Sequence, residues 1–327
     1  MKRRIKLTIA YDGTNYKGWQ IQNPTREKPE GDKPTIQGML TLGIRNLVKD
    51  DSIQLIGASR TDSGVHARGN VAVFDTESTI PTDNYPSAIN SFLPEDIRVV
   101  KAEEVPPEFN PRFEPHEKVY EYKVDNSPVP MPLGRLYAYN FTYALDIEKM
   151  RQAAEYLCGV HDFTSFVNPD SQVFEHGGDA VREIYSIEIL PDKERKGQET
   201  TDSFDATRKY PEVIDLAKAS GKCPEAIDSS KASVKIPEAM GVSKTSRKVR
   251  EEDAGLITLR IRGNGFLYHM IRIIVGTLLQ VGNGKRDPED IMNILEAKDR
   301  TKAGPTVPAK GLCLKELRYQ THDGTSE

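Results

Sequence analysis

The eleven residues Gly57-Ala58-Ser59-Arg60-Thr61-Asp62-Ser63-Gly64-Val65-His66-Ala67 carry the densest chemistry in the chain. A carboxylate, Asp62, stands between two groups able to carry positive charge, Arg60 and His66. Asp-Ser-Gly is turn chemistry, because Gly64 accepts the backbone angles that a connection between strands demands. Apolar alternation flanks it, with Gln54-Leu55-Ile56-Gly57-Ala58 leading in and Asn70-Val71-Ala72-Val73-Phe74 leading out. A carboxylate held at such a turn can act as a nucleophile or abstract a proton. Most Asp-x-Gly sites are turns and nothing more, so the string needs support from the rest of the chain.

The elements that must position Asp62 follow from periodicity. Arg3 to Tyr11 places Ile5, Leu7, Ile9 and Tyr11 on one side, as in a half-buried strand. Thr35 is a candidate cap for a helix with the apolar stripe Ile36, Leu40, Ile44 and Leu47. Ile53 to Ala58 and Asn70 to Phe74 read as the strand pair around Asp62. A helix from Tyr85 to Phe92 and a strand from Ile97 to Ala102 complete a strand–helix–strand–strand–helix–strand order, that of the split ferredoxin-like motif. The second half repeats the order. Val119 to Val124 is a strand, Asp146 caps a helix bearing Ile147, Met150, Ala154 and Leu157, and Val181 to Leu190 and Leu256 to Ile261 alternate as strands. A long helix from Gly265 to Val281, a shorter one started by Asp287-Pro288 and a strand from Leu312 to Tyr319 follow. The expected fold is therefore α+β: two ferredoxin-like halves, 1–104 and 105–327, whose antiparallel sheets join into one platform with a central cleft.

The 327 residues suffice for one large domain or two of ordinary size. Cys158, Cys223 and Cys313 show neither zinc spacing nor a disulfide framework, which predicts a reducing compartment. The N-terminus lacks the apolar core of a signal peptide. The most apolar stretch, Phe266 to Val281, contains His269 and Arg272 and is short for a membrane span. A cytoplasmic protein without membrane association is expected. A net charge of −4 and a pI near 6.0 do not advertise nucleic-acid binding, but phosphate contacts need only a local basic surface. From 191 to 254 the chain is rich in Lys, Asp, Glu and Ser, with a possible helix at 211–219 and a basic run at 244–250. Such a loop far exceeds the usual length of about 2–15 residues, and disorder is expected there.

Further segments are collinear with the Asp62 string: Tyr11-Asp12-Gly13-Thr14-Asn15-Tyr16-Lys17-Gly18-Trp19-Gln20, Thr35-Ile36-Gln37-Gly38 and Asn90-Ser91-Phe92-Leu93-Pro94-Glu95-Asp96-Ile97. Phe109-Asn110-Pro111-Arg112-Phe113, Lys118-Val119-Tyr120-Glu121-Tyr122 and Gly159-Val160-His161-Asp162-Phe163 follow. Phe266-Leu267-Tyr268-His269-Met270-Ile271-Arg272 and Gly304-Pro305-Thr306-Val307-Pro308-Ala309-Lys310-Gly311-Leu312 close the series. Together they resemble the tRNA pseudouridine synthase A family along nearly the whole chain, with 191–254 as the departure. The resemblance implies an isomerase that converts uridine to pseudouridine on the 3′ side of the tRNA anticodon stem-loop, at positions 38, 39 and 40 of the tRNA. It also implies a homodimer. It gives Asp62 the role of nucleophile, Arg272 that of its ion-pair partner, Tyr120 a place against the target base with a part in removing the C5 proton, and Leu312 the aliphatic wall of the uracil pocket.

The residues argue alongside. Burial alone would raise the pKa of Asp62, and a guanidinium nearby reverses that penalty. Arg272, among Met270, Ile271, Ile273 and Ile274, needs a buried partner. A uridine inside a stem must be extruded to react, and Arg60, two residues from Asp62, is placed to fill the vacated stack or hold a phosphate. His66 reads as structural. Whether Asp62 attacks sugar or base stays open. Two other readings compete. Thr61-Asp62-Ser63-Gly64 resembles half of an aspartic protease site, but a second such half is missing. A passive RNA-binding module would carry an aromatic-rich motif on its central strands. Gly263-Asn264-Gly265 does not complete a dinucleotide fingerprint, and the six histidines show no metal-ligand spacing. Neither cofactor nor metal is expected.

Overall fold

Strand β1 (Arg3–Tyr11) turns Ile5, Leu7 and Ile9 fully inward, as its period of two requires. In the computed structural model residues 2–22, 34–168, 171, 178–192 and 255–319 are described, and all belong to one unit. The possible helix at 211–219 and the basic run at 244–250 lie outside them, as does Cys223. Thr35 caps α1 (Ile36–Val48) by accepting from the Gly38 N–H at 3.2 Å. β2 (Ile56–Gly57), β3 (His66–Thr76), α2 (Tyr85–Asn90), β4 (Ile97–Val105) and β5 (His116–Asp125) follow. Then come β6 (Tyr139–Asn140), α3 (Ile147–Glu155), β7 (Gly159–Asp162), β8 (Val181–Pro191), β9 (Leu256–Gly263), α4 (Met270–Gly282), α5 (Asp290–Ala297) and β10 (Leu312–Tyr319). Asp146 caps α3 through the Lys149 N–H at 3.1 Å.

These strands form one mixed sheet in the order β4-β1-β3-β10-β5-β9-β8-β7, with β2 on β3 and β6 on β5. An α+β architecture is thus present. Most neighbours are antiparallel, but β3–β10 and β5–β6 are parallel. The first of these pairings positions the site. Because β3 and β10 run the same way, their starts lie at the same end, with Cys313 opposite His66 and Leu314 opposite Ala67. The turn that carries Asp62 into β3 therefore meets the loop that carries Lys310 into β10. An antiparallel junction would have sent them to opposite ends of the sheet. On its other side, β10 pairs Leu314 with Tyr120 of β5.

Two elements differ from the sequence expectation. The strand expected over 53–58 shrinks to β2, because Arg45 of α1 binds the Ile53 carbonyl at 2.9 Å and Gln37 binds that of Leu55 at 2.8 Å. Those carbonyls are taken by side chains and leave the ladder. The helix expected from Gly265 begins at Met270, since His269 adopts φ of 63°, which no helix interior accepts. The short strand β7 had no alternation to betray it.

Helix α4 lies almost entirely in the core, and Gly276 is where it meets the chain before β10. A Cβ there would stand 1.9 Å from the Pro305 carbonyl oxygen. Gly276→Ala should cost about 1–3 kcal/mol, because the backbones must separate. A melting temperature equal to that of the unchanged protein would contradict this close packing.

Candidate active site

The Asp62 turn is tied down from several directions. The Val65 N–H donates to the Asp62 carbonyl at 3.1 Å, closing the turn, and Gly64 adopts φ of 79°. Gly64 N–H and the Ser63 hydroxyl donate to the Tyr16 carbonyl, and Trp19 N–H donates to that of Thr61. Beneath it, the Tyr11 and Thr61 hydroxyls meet at 2.8 Å, and the Asn70 amide donates to the Tyr11 hydroxyl and the Ser59 carbonyl. Segment 11–19 and strand β3 thus form the bed of the turn. His66 Nδ1 meets both the Gly13 N–H and Asp12 Oδ1 at 3.1 Å, and Nε2 lies 3.2 Å from the Lys310 carbonyl. His66 fastens the turn to the approach of β10 and faces away from the chemistry.

Two basic side chains from the start of α4 converge on one oxygen of Asp62. Arg272 Nη1 lies 3.2 Å from Oδ2, and His269 Nε2 lies 3.5 Å from the same atom. Arg272 also donates from Nε to the Val307 carbonyl at 2.8 Å, so both ends of its planar fork are fixed. The positive end of the α4 dipole adds to the field that favours a carboxylate there. His269 receives the Asn168 amide at Nδ1, 3.1 Å away, and its ring stacks on Tyr268 at 3.8 Å. With Nδ1 accepting, the proton sits on Nε2, toward Asp62. Burial first, then the charges of Arg272 and Arg300, hold the His269 pKa below its ordinary value against the pull of Asp62.

The pH consequence has a definite sign. An unfolded chain takes a proton on His269 as pH falls through about 6.5, while the folded chain resists it. Stability from this residue is therefore present above that value and lost on acidification. His269→Asn should lose less melting temperature between pH 7 and 5.5 than the unchanged protein does. Equal losses would contradict the assignment.

Tyr120, Leu312 and Arg60 line the same cleft as Asp62, Arg272 and His269, a space of about 1310 Å³. Tyr120 is buried, with its hydroxyl 3.0 Å from that of Ser59 and its ring edge-on to Phe266 at 5.5 Å. Burial, with the Asp62 charge, pushes its phenol up to about 12, so it is protonated near neutral pH. Leu312 is buried at the first position of β10. Arg60 is exposed. The carboxylate of Asp62 is the lone acid among the described lining residues, against the cations Lys17, Arg60, Arg112, Lys118 and Arg272. The cleft is basic although the chain is acidic. Among the described residues, no three His, Cys, Asp or Glu side chains cluster as a metal site would need.

Four contributors were not singled out by sequence reasoning: His269, Asn168, Arg112 and Lys118. His269, Arg112 and Lys118 did lie inside segments that matched the family, but nothing in a loop arginine, a strand lysine or a helix-end histidine announces its surroundings.

A partly buried aspartate–arginine pair in a basic cleft, at the junction of a mixed α+β sheet, is the setting a tRNA pseudouridine synthase needs. The family model described as tRNA pseudouridine synthase matches residues 7–114 and 153–320, and the chain belongs to that family. Relatives point to one branch of it. A tRNA pseudouridine synthase A of Bacillus pumilus is 37% identical over 317 residues, covering 97% of this chain and 99% of its own. A tRNA pseudouridine synthase A 2 of Clostridium tetani is 37% identical over 319 residues, covering 98% of this chain and 100% of its own. A tRNA pseudouridine synthase A of Moorella thermoacetica is 36% identical over 315 residues, with 96% and 99% covered.

Proposed function

We propose that this protein isomerises uridine to pseudouridine in tRNA, on the 3′ side of the anticodon stem-loop. The bond from ribose C1′ to uracil N1 breaks, the base turns, a bond from C1′ to C5 forms, and the C5 proton leaves as N1 gains one. Nothing is oxidised or reduced, so the reaction asks for no redox cofactor. Asp62 is the nucleophile. The observation that carries this reading is that Arg272 and His269 both face Oδ2, while among the described residues none pairs with Oδ1, the oxygen that reacts. Arg272 orients the carboxylate by donating to Oδ2. Tyr120 packs on the base as a neutral phenol and Leu312 bounds the uracil. Arg60, exposed at the rim, takes the place of the extruded base in the stack or holds its phosphate. Phe113, 82% exposed at the same cleft, supplies a ring on which a base can stack.

The sheet order supports a division into two ferredoxin-like halves, 1–104 and 105–327, because β4-β1-β3-β2 and β10-β5-β9-β8 repeat one topology. A homodimer is supported by the exposed apolar run Val129, Met131, Leu133 and Leu136, a stretch that a second copy would cover. A cytoplasmic location fits a tRNA substrate, and no helix among the described residues is long and apolar enough to cross a membrane.

The test is to incubate an unmodified tRNA transcript with the protein and map pseudouridines by chemical derivatisation and primer extension. New pseudouridines confined to the 3′ side of the anticodon stem-loop are expected. None anywhere in the tRNA would overturn the reading.

A further inference from the structure

Lys118 has no part in the reaction described so far, yet its setting is unusual. It precedes Tyr120 by two residues on β5, so both side chains leave the same face of the strand and line the same cleft. Across the ladder it pairs with Gly263 of β9 and Leu317 of β10, neither of which offers charge. The charged groups that reach it are Arg182, from the start of β8, and Arg112, from the loop before β5. Arg60 acts in turn on Arg112. Asp179 partly answers Arg182 at 3.5 Å. Among the described residues Lys118, Arg112 and Arg60 form no ion pair. Two other partly buried lysines of the same sheet are answered, Lys6 by Glu103 at 3.0 Å and Lys315 by Glu121 at 2.8 Å. Lys123 of β5, like Lys118, has no ion pair among the described residues, but it does not line the cleft. Lys118 is half-buried while Arg112 and Arg60 are exposed, so the cluster stays open to an outside anion that would complete it.

We propose that Lys118 binds the backbone phosphate of the nucleotide extruded into the cleft. The proposal rests on tRNA being the substrate. A neutral base carbonyl would leave three neighbouring cations uncompensated, whereas a phosphate answers them with charge and several acceptor oxygens. The two-residue step from Lys118 to Tyr120 spans about 7 Å, a distance one nucleotide bridges from its backbone to its base. Desolvation, with the charges of Arg182 and Arg112, holds the free ammonium down to about 8. Below that pH, Lys118 is charged both with and without RNA, and binding takes up no proton. Above it the free side chain is neutral, a phosphate restores the charge, and affinity falls by up to about tenfold per pH unit.

The experiment compares the full chain with K118M and K118R, using an unmodified tRNA transcript and calorimetry in two buffers of different ionisation enthalpy. The unchanged protein should take up about half a proton per tRNA near pH 8. K118M should take up none, bind about 3- to 30-fold more weakly at pH 7 and show a salt slope smaller by about one. K118R should keep most of the affinity at pH 7 and lose the proton uptake, since its charge does not titrate. K118M discards a desolvated charge, so its melting temperature should not fall, and K118R controls for shape. Proton uptake that is the same in all three proteins, or tRNA affinity unchanged in K118M, would overturn the proposal. Pseudouridine formation is measured on the same preparations. Product without Lys118-linked uptake defeats the phosphate site and leaves the isomerase reading intact. Lys118-linked uptake without product defeats the isomerase reading and upholds the site.

Discussion

Asp62→Ala should lower turnover by about 10⁴-fold or more while tRNA affinity stays within about threefold. One carboxylate carries the covalent chemistry, and its removal takes away an interaction made only along the reaction path. Affinity rests instead on phosphate contacts from the cations that line the cleft. Losing an anion from that surface does not weaken them. The measurement is single-turnover conversion of uridine in an unmodified transcript, beside an equilibrium binding titration. Parallel loss of binding and turnover would mean that Asp62 holds the cleft together and does no chemistry.

Arg272→Met should be the second most damaging change. It removes a donor from the Val307 carbonyl and the nearest cation from Asp62, at 2.8 Å and 3.2 Å respectively. Breaking a fully buried pair by removing one partner costs about 3–5 kcal/mol. Here the side chains of Arg272 and Asp62 keep 14% and 18% of their exposure, so a smaller loss, about 1–3 kcal/mol, is expected. Activity should suffer more than stability. Without the guanidinium Asp62 Oδ2 loses the charged donor that orients it. Arg272→Lys should fall by about 10²-fold, since an ammonium cannot span the Val307 carbonyl and Asp62 as a planar fork does. Wild-type turnover from either variant at neutral pH would remove Arg272 from the chemistry.

Local rules made much of the fold legible. Ile5, Leu7 and Ile9 alternate into the core as strand periodicity demands, and Thr35 and Asp146 cap helices from the predicted positions. Strand ends were less legible, because the carbonyls of Ile53 and Leu55 are captured by side chains from α1, a tertiary event. The parallel contact of β3 with β10 could not be read at all. A period of two says which face is buried and nothing about the neighbour or its direction. The site divides along the same line. Asp62 stood out by its local string, whereas Arg272, 210 residues away, was reached through the family resemblance and its apolar neighbours. His269 was hidden by the left-handed backbone that aims it. Lys118 was hidden because the lack of an ion-pair partner among the described residues is a property of three dimensions.

The most direct measurement is release of tritium from C5-labelled uridine in an unmodified tRNA transcript, taken in single turnover with the unchanged protein and with Asp62→Ala. The unchanged protein should release label in step with pseudouridine formation, and the variant should release none above a protein-free control. Release by Asp62→Ala at a rate comparable to that of the unchanged protein would contradict the assignment of the chemistry to Asp62.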